Sequence, residues 1–449
     1  MVKQPRYETV TLEKIVGGGQ ALGTLSDGRK CFVWGGLPDE TVTFRVTKKK
    51  AHFIEGIVTE VLHASPERIA PRDASSYLST SPWQIMTFSA EQNYKAALIK
   101  EAFELHNVVL PHKIDVYTDR RKFQYRNKVE FSWFSERASE SHADTLDLAF
   151  FRRGSKGKII VNECSLLPSE IITLAHSIRD ILHRKHISAR QLKTLLIRSN
   201  QQGSCVWQLY TKDRLPNIIT REEAETLPAQ GGEVIYSDPR SPASRITARL
   251  AKFGDTTLTD TVLGTPFRYA CEGFFQVNIP VYEQALCDMR EWTSCPKCTT
   301  PANSDTDGEN PPVIDFYAGV GTIGLTVGGD NVTLIEINES AVAEMQRNIT
   351  ALGRTNARAI LAPSEKALDF ITPNHVVIVD PPRAGLHADV IAKLLETAPP
   401  RIIYLSCNPV TQARDTALLT EKYNIRAHRG YNFFPRTPHV EHLVVLDRK

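Results

Sequence analysis

The chain has 449 residues, of which 41% are hydrophobic and 23% charged, with a formal net charge of +3. These values exclude a disordered polyelectrolyte, and the length suggests about two to four domains. There is no run of about 18 apolar residues and no charged-then-apolar leader, so we expect a cytoplasmic protein without a membrane partner. The small net charge does not establish a polyanionic partner, and evidence for one must come from local clusters.

Residues 1–68 contain short β-strand patterns separated by glycine turns at 17–19, 27–28 and 35–36. This strand spacing predicts a small OB-like β-barrel. Three consecutive cations, Lys48, Lys49 and Lys50, lie between two of the strands. They are either part of a solvated loop or phosphate contacts of an oligonucleotide-binding barrel.

Residues 69–270 are predicted to form a central β-rich domain that binds RNA. A Pro/Ser/Thr-rich entry is followed by helical spacing over 90–105, and a second helix is expected over 167–192. Basic residues alternate with Phe and Tyr in three clusters, which suits unpaired nucleic acid because cations hold phosphates and rings stack on bases. The other reading is that the cations protect sheet edges. The candidate RNA contacts of these clusters are Arg126, Lys128, Arg152 and Arg153.

A Cys-x-x-Cys pair, Cys295 and Cys298, opens a polar linker near 294–311. A structural zinc site needs four ligands, and no second pair follows. We therefore predict no metal site there, although the role of the pair stays open.

Residues 271–449 show the strand and helix alternation of a Rossmann-like α/β domain. A glycine-rich turn at 315–322 contains Gly319, Gly321 and Thr322, and Glu336 ends the next strand pattern. Such a turn lets the backbone approach a nucleotide-like ligand, and an acidic residue at the second strand can bind ribose hydroxyls. A dinucleotide dehydrogenase would share this pattern.

Two further strand patterns end in polar residues. The run at 376–379 ends at Asp380-Pro381-Pro382, and the run at 402–405 ends at Ser406-Cys407-Asn408-Pro409. Taken alone, Cys407 is either a small buried residue, as free cysteines commonly are, or a nucleophile, since the carboxyl ends of strands are where open α/β sheets hold their chemistry. Glu441 precedes the last strand pattern, where a lone carboxylate is usually solvated, but with Val440 and Leu443 nearby it is a candidate base.

These motifs together resemble the RNA 5-methyluridine methyltransferases. The matching segments are 274–278, 315–322, 380–386, 406–409 and 439–441, and the first 68 residues resemble the TRAM module, an RNA-docking barrel. The resemblance implies a class I S-adenosylmethionine-dependent fold in which Cys407 is the nucleophile and Glu441 the base. It also implies that the cofactor or the target base is lined by Gln276, Tyr317, Gly319, Gly321, Thr322, Glu336 and Asp380.

The chain departs from this pattern at one place. Many relatives hold a [4Fe-4S] cluster through four cysteines, and Cys164 resembles the fourth. No cysteine occurs between Cys31 and Cys164, and hydroxyl groups do not replace thiolates on such a cluster. We therefore expect S-adenosylmethionine as the cofactor and no iron–sulfur cluster.

The expected reaction is C5 methylation of a uridine through a Cys407–C6 adduct, with Glu441 removing the C5 proton. Ribosomal RNA is favoured over tRNA by analogy with TRAM-bearing relatives, and no obligatory protein partner is evident. The alternatives are a cytosine-C5 methyltransferase, whose cysteine usually follows the Asp-Pro-Pro motif, and a non-catalytic RNA-binding assembly factor.

Overall fold

The computed structural model of the chain describes residues 4–135, 145–293 and 311–449. Cys295, Cys298 and the predicted linker, apart from residue 311, lie outside this part. The strands are β1 (Tyr7–Ile15), β2 (Ala21–Thr24), β3 (Lys30–Trp34), β4 (Thr41–Lys49), β5 (Phe53–His63), β6 (Val116–Tyr117), β7 (Lys128–Phe134), β8 (Asp147–Phe151), β9 (Lys158–Ile160), β10 (Leu192–Ser199), β11 (Cys205–Thr211), β12 (Gly231–Tyr236), β13 (Ala248–Gly254), β14 (Thr257–Val262), β15 (Thr265–Ala270), β16 (Val313–Phe316), β17 (Val332–Glu336), β18 (Arg358–Leu361), β19 (Val376–Val379), β20 (Arg401–Ser406), β21 (Tyr423–Tyr431) and β22 (Glu441–Arg448).

The helices are α1 (Tyr77–Thr80), α2 (Phe88–Glu104), α3 (Ser169–Arg184), α4 (Arg221–Thr226), α5 (Ile279–Thr293), α6 (Thr322–Val327), α7 (Glu339–Ala351), α8 (Ala388–Thr397) and α9 (Pro409–Leu419). Among the described residues, no helix is both long and apolar enough to cross a membrane.

The described chain divides into two compact units, each built from separate stretches of sequence. The first comprises 1–94, 121–258 and 435–438, and the second comprises 95–120, 259–434 and 439–449. The predicted three-domain boundaries at 68 and 270 are a different division and remain a prediction.

In the first unit, strands β1, β2, β3, β5 and β4 close into a barrel in that order. Alternate side chains of β1, such as Val10 and Leu12, are buried in it. A side chain at Gly56 would place its Cβ 2.2 Å from the ring of Phe44, so only glycine fits inside the wall. The predicted N-terminal barrel is therefore confirmed.

A seven-stranded sheet, ordered β13-β12-β11-β10-β7-β8-β9, follows in the same unit. The helix predicted over 167–192 was too long: α3 ends at Arg184, and β10 begins at Leu192. The chain turns at His186, whose φ of 54° is not helical. Residues 213–260, whose sequence has little periodic pattern, contain α4, β12, β13 and the beginning of β14.

A partly buried polar network lies in the serine-rich segment before α2. Asp73 Oδ2 accepts hydrogen bonds from Ser165 Oγ at 2.7 Å and from Gln84 Nε2 at 2.8 Å. Gln84 Nε2 also donates to Ser81 Oγ at 2.7 Å. Hydrogen bonds from a hydroxyl and an amide to the Asp73 carboxylate thus connect this segment to Ser165, the neighbour of Cys164.

The second unit contains an eight-stranded sheet in the order β18-β17-β16-β19-β20-β22-β21-β6. The first five strands of this order are parallel to one another, whereas β22 is antiparallel to β20. The central strands are apolar and fully buried because helices cover both faces of such a sheet. The order reverses at β16, between β17 and β19, which is where open α/β sheets bind their ligands.

Candidate active site

The register of β20 and β22 determines the positions of the two predicted catalytic residues. Ser406 pairs with His442 across the two antiparallel strands. Cys407 follows Ser406 and Glu441 precedes His442, so both emerge at the same end of the strand pair. The helix α9 begins at Pro409, and its N-cap Asn408 accepts a hydrogen bond from the N–H of Val410.

Cys407 and Glu441 line a cavity of about 700 Å³ at the carboxyl ends of the parallel strands. This volume is in the range of small-molecule and cofactor sites. Of the predicted cofactor or base residues, the cavity contains Gln276, Tyr317, Gly319, Glu336 and Asp380. Gly321 and Thr322 are not part of its lining. The sequence motifs from five separate segments thus come together in one pocket.

The glycine turn after β16 positions the first of these residues. Tyr317, Gly319 and Gly321 have positive φ values of 65°, 57° and 89°. No atom lies within 4 Å of where a Gly319 Cβ would be, which leaves room for a ligand against the backbone. Gly321 is the N-cap of α6 and Thr322 its first residue, so these two shape the turn.

Glu336, at the end of β17, is held by backbone donors. Its two carboxylate oxygens accept hydrogen bonds from the N–H of Gly319 at 3.0 Å and of Asn338 at 2.8 Å. Each carboxylate oxygen can accept a further hydrogen bond. An adenosine ribose offers two hydroxyl donors, so the residues present fit a nucleoside cofactor.

Three carboxyl groups and one thiol near the cavity have pKa values raised by burial. Burial raises the pKa of Asp380 to about 7, and burial together with Asp380 and Glu336 raises that of Asp315 to about 8. Burial and Asp380 hold the pKa of Glu441 well above its ordinary value. Burial, followed by the charges of Glu441 and Asp380, raises the pKa of the Cys407 thiol to about 11.

Arg383 is the cation that opposes these shifts. Its guanidinium lowers the pKa of both Cys407 and Glu441 against the larger effect of burial. Asn408 Nδ2 and Thr411 Oγ1 donate to the carbonyl of Arg383, at 2.9 and 3.2 Å. The beginning of α9 therefore holds the loop that carries the arginine.

Asp415 on α9 fixes the rest of this loop. One of its oxygens accepts from the N–H of Leu386 and from the hydroxyl of Tyr404, both at 2.8 Å. Gly385 passes close to the same carboxylate with a φ of 83°. The 380–386 loop is thus bound to the helix that follows Cys407.

Some lining residues were not assigned a role from the sequence. Phe274, Arg383 and His439 lie in the recognised motifs, whereas Ser364, Glu365 and Phe434 lie in none of them. Ser364 Oγ donates to the hydroxyl of Tyr317 at 2.9 Å. Ser364 and Glu365 follow β18, a parallel strand that also ends at this edge of the sheet. This position in the sequence could have identified them as residues of the site.

The predicted RNA-binding residues all lie in the first unit. Lys48, Lys49 and Lys50 are exposed on the barrel, and Lys48 pairs with Glu55 at 2.6 Å. Arg152 is exposed on the β8–β9 hairpin. Arg153 lies over the ring of Trp34 at 4.0 Å and donates to the carbonyl of Leu78, so it joins the hairpin to neighbouring segments. Arg126 and Lys128 are half-buried, and Arg126 Nε donates to the carbonyl of Lys128 at 3.0 Å.

Within the described ranges, no group of three or more His, Cys, Asp or Glu residues is arranged to hold a metal ion. Cys164 is buried, which raises the pKa of its thiol to about 11.

The sheet order with antiparallel β22, the glycine turn after β16 and the acid at β17 are features of the class I S-adenosylmethionine-dependent methyltransferase fold. Residues 367–449 match the family model described as tRNA (Uracil-5-)-methyltransferase. The chain is 28% identical to an uncharacterized RNA methyltransferase of Enterococcus faecalis over 93% of its length and 92% of the relative. It is 27% identical to one of Lactiplantibacillus plantarum, over 94% and 93% of the two chains.

A solved structure extends this likeness to the whole fold. The Pyrococcus abyssi tRNA (uracil-54, C5)-methyltransferase, in complex with S-adenosyl-L-homocysteine, superposes with a TM-score of 0.76 at 20% identity. The superposition covers 98% of this chain and 99% of that one. The chain is thus similar to RNA methyltransferases over nearly its whole length, and its C-terminal part matches the tRNA (uracil-5-)-methyltransferase family, as its motifs predicted.

Proposed function

We propose that the protein transfers a methyl group from S-adenosylmethionine to C5 of a uridine in RNA, through a covalent bond between Cys407 and C6. The observation that carries the proposal is that Cys407 and Glu441 emerge side by side in one cavity with the predicted cofactor residues. A simple N-methyltransferase needs neither a nucleophile nor a second acid at this place.

The chemistry requires a nucleophile because C5 of uracil is itself a poor one. The thiolate of Cys407 adds to C6, which moves an electron pair to C5 and O4 as an enolate. Bound S-adenosylmethionine supplies an electrophilic methyl group. After C5 has gained the methyl, Glu441 removes the C5 proton, the C6–S bond breaks, and the thiolate of Cys407 leaves.

The environment of the two side chains supports these roles. Burial raises the pKa of Glu441, which makes its carboxylate a stronger base. The carboxylate is therefore suited to accepting the C5 proton. The raised pKa of Cys407 disfavours the thiolate, and two features of the site stabilise the thiolate against this effect. These are the guanidinium of Arg383 and the N-terminus of α9, whose dipole favours an anion.

The first unit offers a surface for the RNA. The β8–β9 hairpin packs on the barrel, because a Cβ at Gly154 would lie 2.5 Å from the side chain of Ile57. Exposed Lys48–Lys50 and Arg152 therefore belong to neighbouring elements, and Phe151 beside them is 64% exposed. Cations and an exposed ring suit phosphates and unpaired bases. Arg126 and Lys128 remain candidate contacts, while the Arg153 guanidinium is committed to the packing of the hairpin.

The kind of RNA that serves as substrate is proposed by analogy with related proteins. We favour ribosomal RNA because of the N-terminal barrel, with tRNA as the alternative that the family description names. The target uridine must be unpaired or flipped out, since a stacked base is closed to Cys407. We place the reaction in the cytoplasm, where such RNA and the cofactor meet.

The test is to trap the covalent adduct. The protein is incubated with S-adenosylmethionine and total RNA that contains 5-fluorouridine, and its mass is measured. Fluorine at C5 cannot leave as a proton, so the wild type should carry RNA through Cys407, and sequencing this RNA would name the substrate. Cys407→Ala should form no adduct, whereas Cys287→Ala, which changes an exposed cysteine on α5, should behave as the wild type.

Absence of an adduct in the wild type, despite binding of RNA and cofactor, would contradict the proposal. It would favour a non-catalytic RNA-binding role. An adduct on 5-fluorocytidine RNA alone would instead indicate a cytosine-C5 methyltransferase.

A further inference from the structure

The side chain of Gln412 joins the two strands that carry the candidate catalytic residues. It lies fully buried on α9, the helix that begins two residues after Cys407. Its Nε2 donates to the carbonyls of Tyr404 on β20 and His442 on β22, both at 2.8 Å. These carbonyls belong to residues three before Cys407 and one after Glu441.

The third hydrogen bond of Gln412 is made to the ring of His442. Gln412 Oε1 lies 2.7 Å from His442 Nδ1. An amide oxygen only accepts, so Nδ1 carries the hydrogen. Burial and the neighbouring His428 hold the pKa of His442 well below its ordinary value, so the ring is neutral. It also packs edge-on against Phe103 of α2, with ring centroids 5.2 Å apart.

An amide is well suited to this position. Both of its N–H donors and its oxygen are engaged, so the buried polar group incurs no unpaired cost. Beside Tyr404, strand β19 ends at Val379, and Pro381 after it has no N–H to offer. Gln412 therefore donates hydrogen bonds to backbone carbonyls near the end of the sheet, where the hydrogen bonds between β19 and β20 stop.

We propose that Gln412 is a positioning residue that sets the separation of Cys407 and Glu441 by holding the ends of β20 and β22 together. The inference rests on the proposed function, because it matters only if both residues act on one base. Catalytic groups misplaced by about 1 Å can cost on the order of 100-fold in rate, so a small relaxation of these strand ends should be measurable.

The test compares Gln412→Met with a control on the next turn of the same helix. Methionine keeps the length and volume but removes all three hydrogen bonds. Thr416→Val alters a fully buried side chain whose hydroxyl has no hydrogen-bond partner among the described residues. Both variants change buried polarity on α9, but only Gln412→Met releases the strand ends.

Two rates are measured together with the KM for S-adenosylmethionine and the melting temperature. The rate of adduct formation on 5-fluorouridine RNA reports on Cys407, and the release of tritium from 5-tritiated uridine RNA reports on Glu441. Gln412→Met should slow both rates by about 10- to 100-fold, with KM within about twofold of the wild type. Thr416→Val should keep both rates even where its melting temperature falls.

Gln412→Glu provides a second variant. A protonated carboxyl can accept from His442 and donate to one carbonyl, so it should restore part of the rate. It also carries the test if Gln412→Met does not fold. Rates within twofold of the wild type, or losses equal to those of Thr416→Val, would overturn the inference. A wild type that forms no adduct would instead overturn the proposed function, and the role of Gln412 with it.

Discussion

Ser406 and His442 are register partners at the end of the β20–β22 pair, and this pairing brings Cys407 and Glu441 together. Because side chains alternate along a strand, a slip of one residue would turn Glu441 to the opposite face of the sheet. His442 already occupies that face, packed against Phe103 and Gln412. The burial of His442 therefore fixes the register on which the candidate active site depends.

Glu441→Gln should separate the two halves of the reaction. The amide cannot accept the C5 proton, so uridine RNA should be methylated but remain attached to Cys407. We expect product release to fall by at least about 100-fold, within the usual range for loss of a general base. The measurement is the fraction of protein bound covalently to RNA after one turnover.

The control is Glu365→Gln, which changes another carboxyl of the cavity lining. It should release product at a rate close to that of the wild type. Rapid release by Glu441→Gln would mean that a different group takes the proton.

Arg383→Met should slow the formation of the adduct. Its guanidinium lowers the pKa of Cys407, so its removal raises that pKa above its value of about 11. The thiolate fraction at pH 7 to 8 then falls, and the rate should recover in part as the pH rises. The rate of adduct formation is measured from pH 7 to 9.5, with Lys393→Met on α8 as the control. An unchanged pH profile would contradict this role.

Gly385→Ala should disturb the loop that carries Asp380 and Arg383. Its φ is 83°, and an added Cβ would lie 2.5 Å from Asp415 Oδ2. Gly353 has a φ of 63° with no atom within 4 Å, so Gly353→Ala isolates the cost of the backbone conformation alone. That cost is about 1–2 kcal/mol. Gly385→Ala should lose more stability than this and should also lower kcat, measured by urea unfolding and by turnover.

The stability of the protein without cofactor should fall as the pH rises from 5 to 8. The pKa of Asp315 is raised to about 8 and that of Asp380 to about 7. In the unfolded chain such carboxyls ionise near pH 4, so the folded state binds more protons across this window. The free energy of unfolding therefore decreases with pH until both groups have ionised.

Asp315→Asn should flatten this dependence, since the amide oxygen can still accept from the N–H of Gly324. The urea midpoint is compared at pH 5.5 and pH 8 for the wild type, Asp315→Asn and the exposed-site control Asp369→Asn. Equal pH dependence in all three proteins would show that the burial of Asp315 has no effect on its titration.

The three barrel lysines should contribute to RNA affinity through charge. A triple variant that combines Lys48→Ala, Lys49→Ala and Lys50→Ala should bind single-stranded RNA more weakly. The slope of log affinity against log salt should fall by about 2, since each lost phosphate contact accounts for about 0.7. Binding is measured from 50 to 300 mM salt. Alanine at Lys100, Lys393 and Lys422, three lysines of the second unit, should leave the slope unchanged.

The sequence by itself predicted the class of fold, which the structure confirms, and it indicated which residues are candidates for the chemistry. Strand patterns ending in Asp380, Cys407 and Glu336 predicted their place at the carboxyl edge of a sheet, because parallel strands all end there. Local patterns were weaker at element ends, as for α3, where a left-handed residue at 186 terminates a helix that the apolar spacing would continue.

Only the tertiary structure decided what long-range packing controls. The partners of these contacts are far apart in the sequence, so their pairing could not be predicted from it. The contacts are the register of Ser406 with His442, the hydrogen bond of Asp415 with Leu386, and the hydrogen bonds of Gln412 to two strands. The tertiary structure also decided that Arg153 packs against Trp34 while Arg152 stays exposed, although the two are adjacent in sequence. Residue type sets which chemistry is available, but pKa, exposure and distance arise from neighbours that folding brings from elsewhere in the chain.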